Sequence, residues 1–398
     1  MTGMDLPPAA TGRTVLRNAR LVLPDGVRRD GWLCIAGDRI QAVGDAAEPP
    51  PEAATVMDLA GRWVVPGFVD VHVHGGGGAS YTTGDLDQAR AAAAFHRANG
   101  TTTTLAGLVT ASPDHLMSAT SMLADLVEEG LLAGVHLEGP YLSRARCGAH
   151  PPDLLRAPHV DEVKRLLDAG RGTVRMVTLA PELPGAAEVI RLLAATGVIA
   201  AIGHTDATYA RTRTAIAGGA SVATHLFNGM RGVHHREPGP VAAALADENV
   251  IVEIISDGVH LHPAMVGLVF DTVGADRVAL ITDAMDAAGL GDGTYRLGEM
   301  TVRVENGVSR LADGDSIAGS TLTMAAAFRR TVRGAGVPVE DVSRAASLTP
   351  ARLLGLADRI GSLEPGKQAD LVVLDEALDL VAVMARGEWI RGPERAGP

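Results

Sequence analysis

Eight short apolar runs, each ending in polar residues and each followed by a segment with helix-start signals, set the tightest limit on what this chain can fold into. They are GFVDVHVH (67–74), TTTTLAG (101–107), LAGVHLEGP (132–140), TVRMVTLAPE (173–182), GVIAAIGHT (197–205), SVATHLFN (221–228), VIVEIISDG (250–258) and RVALITDAM (277–285). Runs this short and rich in Val, Ile or Thr fit buried strands, and the gaps between them carry helix caps. Asp85 opens one helix closed by Asn99 and Gly100, and Ser112 with Pro113 opens another closed by Gly130. Eight strand–helix units predict an α/β chain folded as a (β/α)8 barrel, whose active site sits at the C-terminal ends of the strands. A doubly wound open sheet is the alternative, but no GxGxxG follows the first run.

The flanks read differently. TVLRNARLVLP, GWLCIAGDRIQAVG and TVMDLAGRWVVPG are β segments punctuated by Pro, Gly and Asp, and residues 366–392 have the same character. The two ends therefore predict one small β-sandwich domain, residues 1–65 with 356–398, around a barrel over 66–355. Within the barrel, residues 293–311 read as a hairpin turning at Asn306 and Gly307, a lid over the mouth.

Charge and composition exclude other classes. Lys and Arg number 35 against 47 Asp and Glu, a net charge of −12, and no basic cluster is flanked by aromatics, which argues against nucleic acid as a partner. The N-terminal MTGMDLPPAATGR lacks the basic start and apolar stretch of a signal peptide, and no apolar run reaches the ~18–20 residues of a membrane span, so no membrane partner and a cytoplasmic location are expected. Cys34 and Cys147 lie far apart with no CxxC, against a disulfide framework or a thiolate zinc site.

The polar residues that end the runs are metal-ligand types: His72 and His74 on the first, Glu138 on the third, His204 on the fifth, His225 on the sixth and Asp283 on the eighth. Residues i and i+2 of a strand point the same way, so His72 and His74 share a face. The 21 residues from His204 to His225 make one helix-containing unit, placing both imidazoles on adjacent strands at one rim. A single His at a strand end is more often a hydrogen-bonded rim residue; six such residues at one end of five strands point to a metal. Four His with two carboxylates and no thiolate suit Zn2+ or another first-row divalent ion. His136, two before Glu138, reads as a supporting or packing residue, and Asp70 has the same ambiguity.

The series PGFVDVHVHGGGG, GVHLEGPYLS, AAIGHTDATY, ATHLFNGMRGVHHREPGP, IISDGVHLHP, LITDAM and DSIAGSTLTM resembles the N-acetylglucosamine-6-phosphate deacetylases of the amidohydrolase superfamily over nearly the whole chain. HxH alone marks the superfamily; HLEGP, THLFN and REPG in this order mark the deacetylases. The resemblance implies a TIM-like barrel of the metal-dependent amidohydrolase type beside a small β domain, and one or two divalent ions. Zinc is the first expectation, with iron, cobalt or manganese as the others. With HxH intact, it implies His72 and His74 on one ion, His204 and His225 on a second, and Glu138 able to bridge.

By its match to the family's TDA motif, Asp283 is implied as the general acid/base of amide hydrolysis as well as a ligand. Arg236 in HHREPG is implied to bind the phosphate of an amino-sugar phosphate across the interface of a homodimer. His260 matches a substrate-contacting His. Main-chain groups of Ala149 and His150, of Asn228 and Gly229, and of Ile317, Ala318, Gly319 and Ser320 complete the implied substrate pocket. Here the chain departs from many members, which have Ala where Gly229 stands and Ser where Ala318 stands. Cys147 is assigned no role. A cyclic amidase or acylamino-acid deacylase is the rival enzyme reading, but those often carry a carboxylated Lys between metals, and no Lys ends a barrel run. A silent scaffold is the remaining alternative, disfavoured by the intact ligand set.

Overall fold

A computed structural model describes residues 12–392; the stretch before it, read above for targeting signals, and residues 393–398 lie outside the described residues. The chain opens with β1 (Arg13–Leu23), β2 (Gly26–Ala36), β3 (Arg39–Gly44), β4 (Thr55–Asp58) and β5 (Trp63–Pro66). The first expected barrel run gives β6 (Phe68–Asp70), followed by the short pair β7 (Gly75–Gly76) and β8 (Ala79–Ser80). The other seven runs give β9 (Thr101–Leu108), β10 (Gly134–Glu138), β11 (Val174–Leu179), β12 (Ile199–Ile202), β13 (Ala220–Ala223), β14 (Ile251–Ile255) and β15 (Val278–Ile281). Then come β16 (Gly293–Leu297), β17 (Met300–Glu305) and β18 (Val308–Leu311), and finally β19 (Leu371–Leu374), β20 (Leu380–Ala385) and β21 (Glu388–Arg391).

The eight barrel strands pair in parallel in the order β15-β14-β13-β12-β11-β10-β9-β6. The helices between them start where the caps indicate. Asp85 accepts from the N–H groups of Asp87 and Gln88 at the start of α1 (Leu86–Ala98), and Ser112 accepts from His115 N ahead of α2 (Pro113–Glu128), with Pro113 in its first turn. Inside the barrel, Val69, Leu105, Met176, Ala201, Val222, Ile255 and Ile281 form one apolar cluster, one residue from each strand except β10. On β10 the alternation puts Val135 and Leu137 in the cluster under the helices, while the intervening His136 and Glu138 are buried polar groups.

β6 and β15 close the barrel through polar groups at their ends. Buried Asp70 accepts from Thr282 Oγ1 at 2.6 Å and from His72 N at 3.2 Å; Asp283 N donates to His72 O at 2.8 Å, and His74 N to Ala284 O at 2.8 Å. The seam thus includes residues of the expected site. Replacing Asp70 with alanine would leave buried donors unpaired, and the expected loss is about 3 kcal/mol of folding stability, read by urea denaturation. The near-isosteric Asp70→Asn, which keeps an acceptor, should recover at least half of it.

The terminal strands form one hydrogen-bonded sheet, β21-β20-β19-β5-β1-β2-β3, with β4 also on β1. Leu371 and Val373 of β19 pack with Leu16, Leu33 and Met384 in the small-sheet core. Val372 and Leu374, pointing the other way, join Phe68 and Phe328 against the barrel. The expected hairpin is a three-stranded antiparallel sheet, β16-β17-β18, turning at Asn306 and Gly307 with φ of 52° and 75°. Its Leu297, Val302 and Val304 pack on Val109 and Met285.

Candidate metal centre

His72, His204, His225 and Asp283 each stand two residues past the end of a strand: β6 ends at Asp70, β12 at Ile202, β13 at Ala223 and β15 at Ile281. Regular pairing of the first run stops short of His72 and His74, which the seam bonds hold instead. Three of these residues adopt left-handed backbone, with φ of 46° at His204, 29° at His225 and 49° at Asp283. That conformation costs an L-residue on the order of 1–2 kcal/mol, and concentrations of such strain mark functional sites.

Six buried side chains meet here, Glu138 from the last position of β10 and the other five from the segments just past their strands. His74 Nε2 lies 3.1 Å from both Glu138 Oε2 and Asp283 Oδ1. His72 Nε2 lies 3.2 Å from His74 Nε2 and 3.4 Å from Glu138 Oε1. On the other side of Glu138, His204 Nε2 and His225 Nε2 each lie 3.1 Å from Oε1 and 3.0 Å from one another. Two groups result, His72/His74/Glu138/Asp283 and Glu138/His204/His225, each with its ligand atoms within 4.8 Å of one another. Glu138 belongs to both.

The hydrogen bonds on the far side of the rings show that this arrangement fits a cation. His72 Nδ1–H donates to Glu253 Oε2 at 3.0 Å, His74 Nδ1–H to Gly107 O at 3.1 Å, and His204 Nδ1–H to Arg146 O at 2.8 Å. Each acceptor can only accept, so each ring in its neutral form turns its Nε2 lone pair toward Glu138. Lone pairs facing carboxylate oxygens at 3 Å repel unless a positive charge lies between them. The electrostatics agree. Burial disfavours charge on His72 and His74, yet the surrounding carboxylates outweigh it, pushing His72 well above the ordinary imidazole range and His74 to about 9. Burial would raise Glu138 and Asp283, but the imidazoles, His72 foremost, hold Glu138 well below the carboxylate range and Asp283 at about 2. A site that draws protons this way draws a divalent cation by the same field.

The ligand cluster opens into a cavity of about 430 Å3. Of the residues expected to bind substrate, Ala149, His150, Asn228, Gly229, His260, Ile317 and Gly319 line it. Ala318 is buried in the apolar cluster under the β16–β18 sheet, and Ser320 is buried with its Oγ bonded to Thr282 O, so neither lines the wall. Arg236 is exposed and outside the single-chain cavity, its guanidinium bonded to His235 Nε2. Cys147 is a partly buried free thiol. His150 does more than offer main chain: its Nε2 lies 3.5 Å from Glu138 Oε2, and burial holds it down to about 4. His136 donates to or accepts from Thr178 Oγ1 at 2.8 Å and packs edge-on against His72, a supporting place.

Sequence reasoning missed three things. Glu253 is a fully buried carboxylate in the run VIVEIISDG, and its signal was a lone charge on the same strand face as Ile255. Asp257 holds His260 Nδ1 at 2.7 Å, a contact that only the loop after β14 creates. Arg146 and Arg310 line the cavity but looked like any other Arg of an Arg-rich chain.

With this geometry in view, residues 63–390 match the Amidohydrolase family. The chain belongs to the amidohydrolase family and, within it, to the amino-sugar 6-phosphate deacetylases. It is 39% identical over 383 residues to an N-acetylgalactosamine-6-phosphate deacetylase of Escherichia coli O157:H7, covering 95% of this chain and 98% of that one. It is 34% identical over 385 residues to an N-acetylglucosamine-6-phosphate deacetylase of Bacillus subtilis, covering 94% and 96%. Among solved structures, N-acetyl-D-glucosamine-6-phosphate deacetylase of Mycobacterium smegmatis, an aspartate-to-alanine mutant in complex with N-acetyl-D-glucosamine-6-phosphate, superposes with a TM-score of 0.92 at 49% identity, over 96% of this chain and 100% of that one.

Proposed function

We propose that this protein hydrolyses N-acetyl-D-glucosamine 6-phosphate to D-glucosamine 6-phosphate and acetate, in amino-sugar catabolism or cell-wall recycling. The observation that carries the reading is Glu138 shared between two imidazole groups beneath a cavity of sugar size. His72, His74, Glu138 and Asp283 would hold one divalent ion, and Glu138, His204 and His225 a second. Nitrogen and carboxylate donors without thiolate suit zinc, and iron, cobalt or manganese also match. A divalent ion bound there lowers the pKa of a water it touches and polarises a carbonyl.

The chain's own residues do the rest. Asp283, ionised and buried beside His74, accepts the proton of the attacking water on its carboxylate and hands it to the amide nitrogen, so that the leaving amine departs neutral. Asp257 fixes His260 as the Nδ1–H form, and Nε2 then accepts from a sugar hydroxyl. Ala149, Asn228, Gly229, Ile317 and Gly319 shape the wall that excludes bulk water, and the β16–β18 sheet serves as its lid. Arg236, exposed here, binds the 6-phosphate of the neighbouring active site in a homodimer; Ala318 and Ser320 support the wall from behind. The protein works in the cytoplasm, and among the described residues no helix is long and apolar enough to cross a membrane.

A second reading, the C4 epimer N-acetyl-D-galactosamine 6-phosphate, is favoured by the similarity to the E. coli deacetylase. Acetate release from both epimers, with and without phosphate, separates these readings. The phosphorylated gluco sugar should turn over fastest, and Arg236→Ala should raise its KM by about 10–100-fold while leaving the unphosphorylated sugar unaffected. Equal kcat/KM for phosphorylated and unphosphorylated sugar in the wild type would reject the phosphate assignment.

A further inference from the structure

Glu253 sits in the middle of β14, paired in register with Ala279 of β15 and flanked by Val252 and Ile254. It has no exposed surface. A carboxylate in such a place is costly unless its charge is met by donors. Both donors come from the candidate metal centre, one from each group. Glu253 Oε2 accepts from His72 Nδ1–H at 3.0 Å and from the main-chain N–H of His225 at 3.1 Å. Its main-chain carbonyl also accepts from Leu226 N at 2.8 Å, so the turn carrying His225 hangs on this residue twice. Among the described residues its other oxygen, Oε1, has no partner.

Two consequences follow. The acceptor-only carboxylate fixes His72 as the Nδ1–H tautomer, turning its Nε2 lone pair toward His74 and Glu138. The bond to His225 N–H holds the peptide of a residue whose φ of 29° is strained, and so holds the aim of its ring. His72 and His225 belong to different ligand groups. We propose that Glu253 is a positioning residue that couples the two groups, so that a change at this one buried side chain weakens ion binding in both. This rests on the metal reading above and adds to it that the two groups share a support beneath them as well as the Glu138 carboxylate between them.

Zinc-loaded wild type, Glu253→Ala, Glu253→Gln and Glu253→Asp are each challenged with rising chelator, and retained zinc per chain is measured alongside far-UV circular dichroism. Glutamine keeps an acceptor oxygen at the same reach and loses the charge; aspartate keeps the charge and loses the reach. Positioning predicts that Glu253→Gln retains zinc within about threefold of wild type. Glu253→Asp and Glu253→Ala should lose it at about 10–100-fold lower chelator, from both groups. The reverse order, with aspartate tight and glutamine weak, overturns positioning in favour of charge alone. Loss of one ion while the other stays at wild-type affinity overturns the coupling. Should Glu253→Ala not fold, the glutamine and aspartate pair decides between the two. A wild type that holds no zinc sinks the metal reading itself, an outcome distinct from a wild type that holds zinc and variants that hold it equally well.

Discussion

Asp283→Asn is expected to lower kcat for deacetylation by about 10³-fold, with KM changed by less than threefold. The substitution keeps the shape of a side chain that is 11% exposed at the end of the barrel seam, so folding should survive. What it removes is the proposed proton acceptor. The carboxylate lies 3.1 Å from His74 Nε2 and 3.6 Å from His72 Nε2, and those imidazoles keep it ionised against the penalty of burial. Proton transfer by a positioned group contributes roughly 10²–10⁴-fold, and the same oxygen is a candidate ligand, which places the expectation inside that range. An effect on kcat without one on KM marks an interaction made in the transition state. Steady-state acetate release with matched zinc content checks it, and a loss under tenfold would remove Asp283 from the proton-transfer role.

Glu138→Ala should have the largest effect on metal content. Structural zinc binding of ~10–16 kcal/mol spread over four ligands gives about 3 kcal/mol, or on the order of 10²-fold, per ligand. Glu138 is counted in both groups, so both ions should weaken by that factor at once, whereas His204→Ala should weaken only the group it belongs to. Elemental analysis after dialysis reads this directly. Activity should fall below detection in Glu138→Ala and not return at zinc concentrations that restore His204→Ala. Independent loss of the two ions in Glu138→Ala, one at wild-type affinity, would show that the carboxylate does not bridge.

Most of the frame was legible because its causes are local. Short β-branched runs, capping residues such as Asp85 and Ser112, and turn residues such as Asn306 and Gly307 act over a few positions. The eight strands and the helix starts therefore followed from spacing. The ligand types were legible because runs of apolar strand seldom end in His or Asp by chance. Where the strands stop was not legible. His72 belongs to the first run by composition, yet ladder pairing ends at Asp70, because closing the barrel bends the chain toward Thr282 and Asp283. Glu253 was hidden for a related reason: its partners stand 181 and 28 residues away, and nothing in VIVEII says which face meets a histidine. Arg236 was singled out by resemblance alone, and the fold of one chain leaves it outside the cavity.

The interleaved terminal sheet bears on the order in which this molecule can be made. Strands β19 to β21, synthesised after the barrel, must add beside β5, and β5 runs straight into β6 of the barrel. A growing chain on the ribosome can complete all eight barrel strands while Trp63–Pro66 still presents an unpaired edge and Phe68 and Phe328 lack the cover of Val372 and Leu374. Residues 371–391 therefore act as a clasp, and a ribosome that stalls before them releases a nascent barrel with a sticky flank for chaperones to guard.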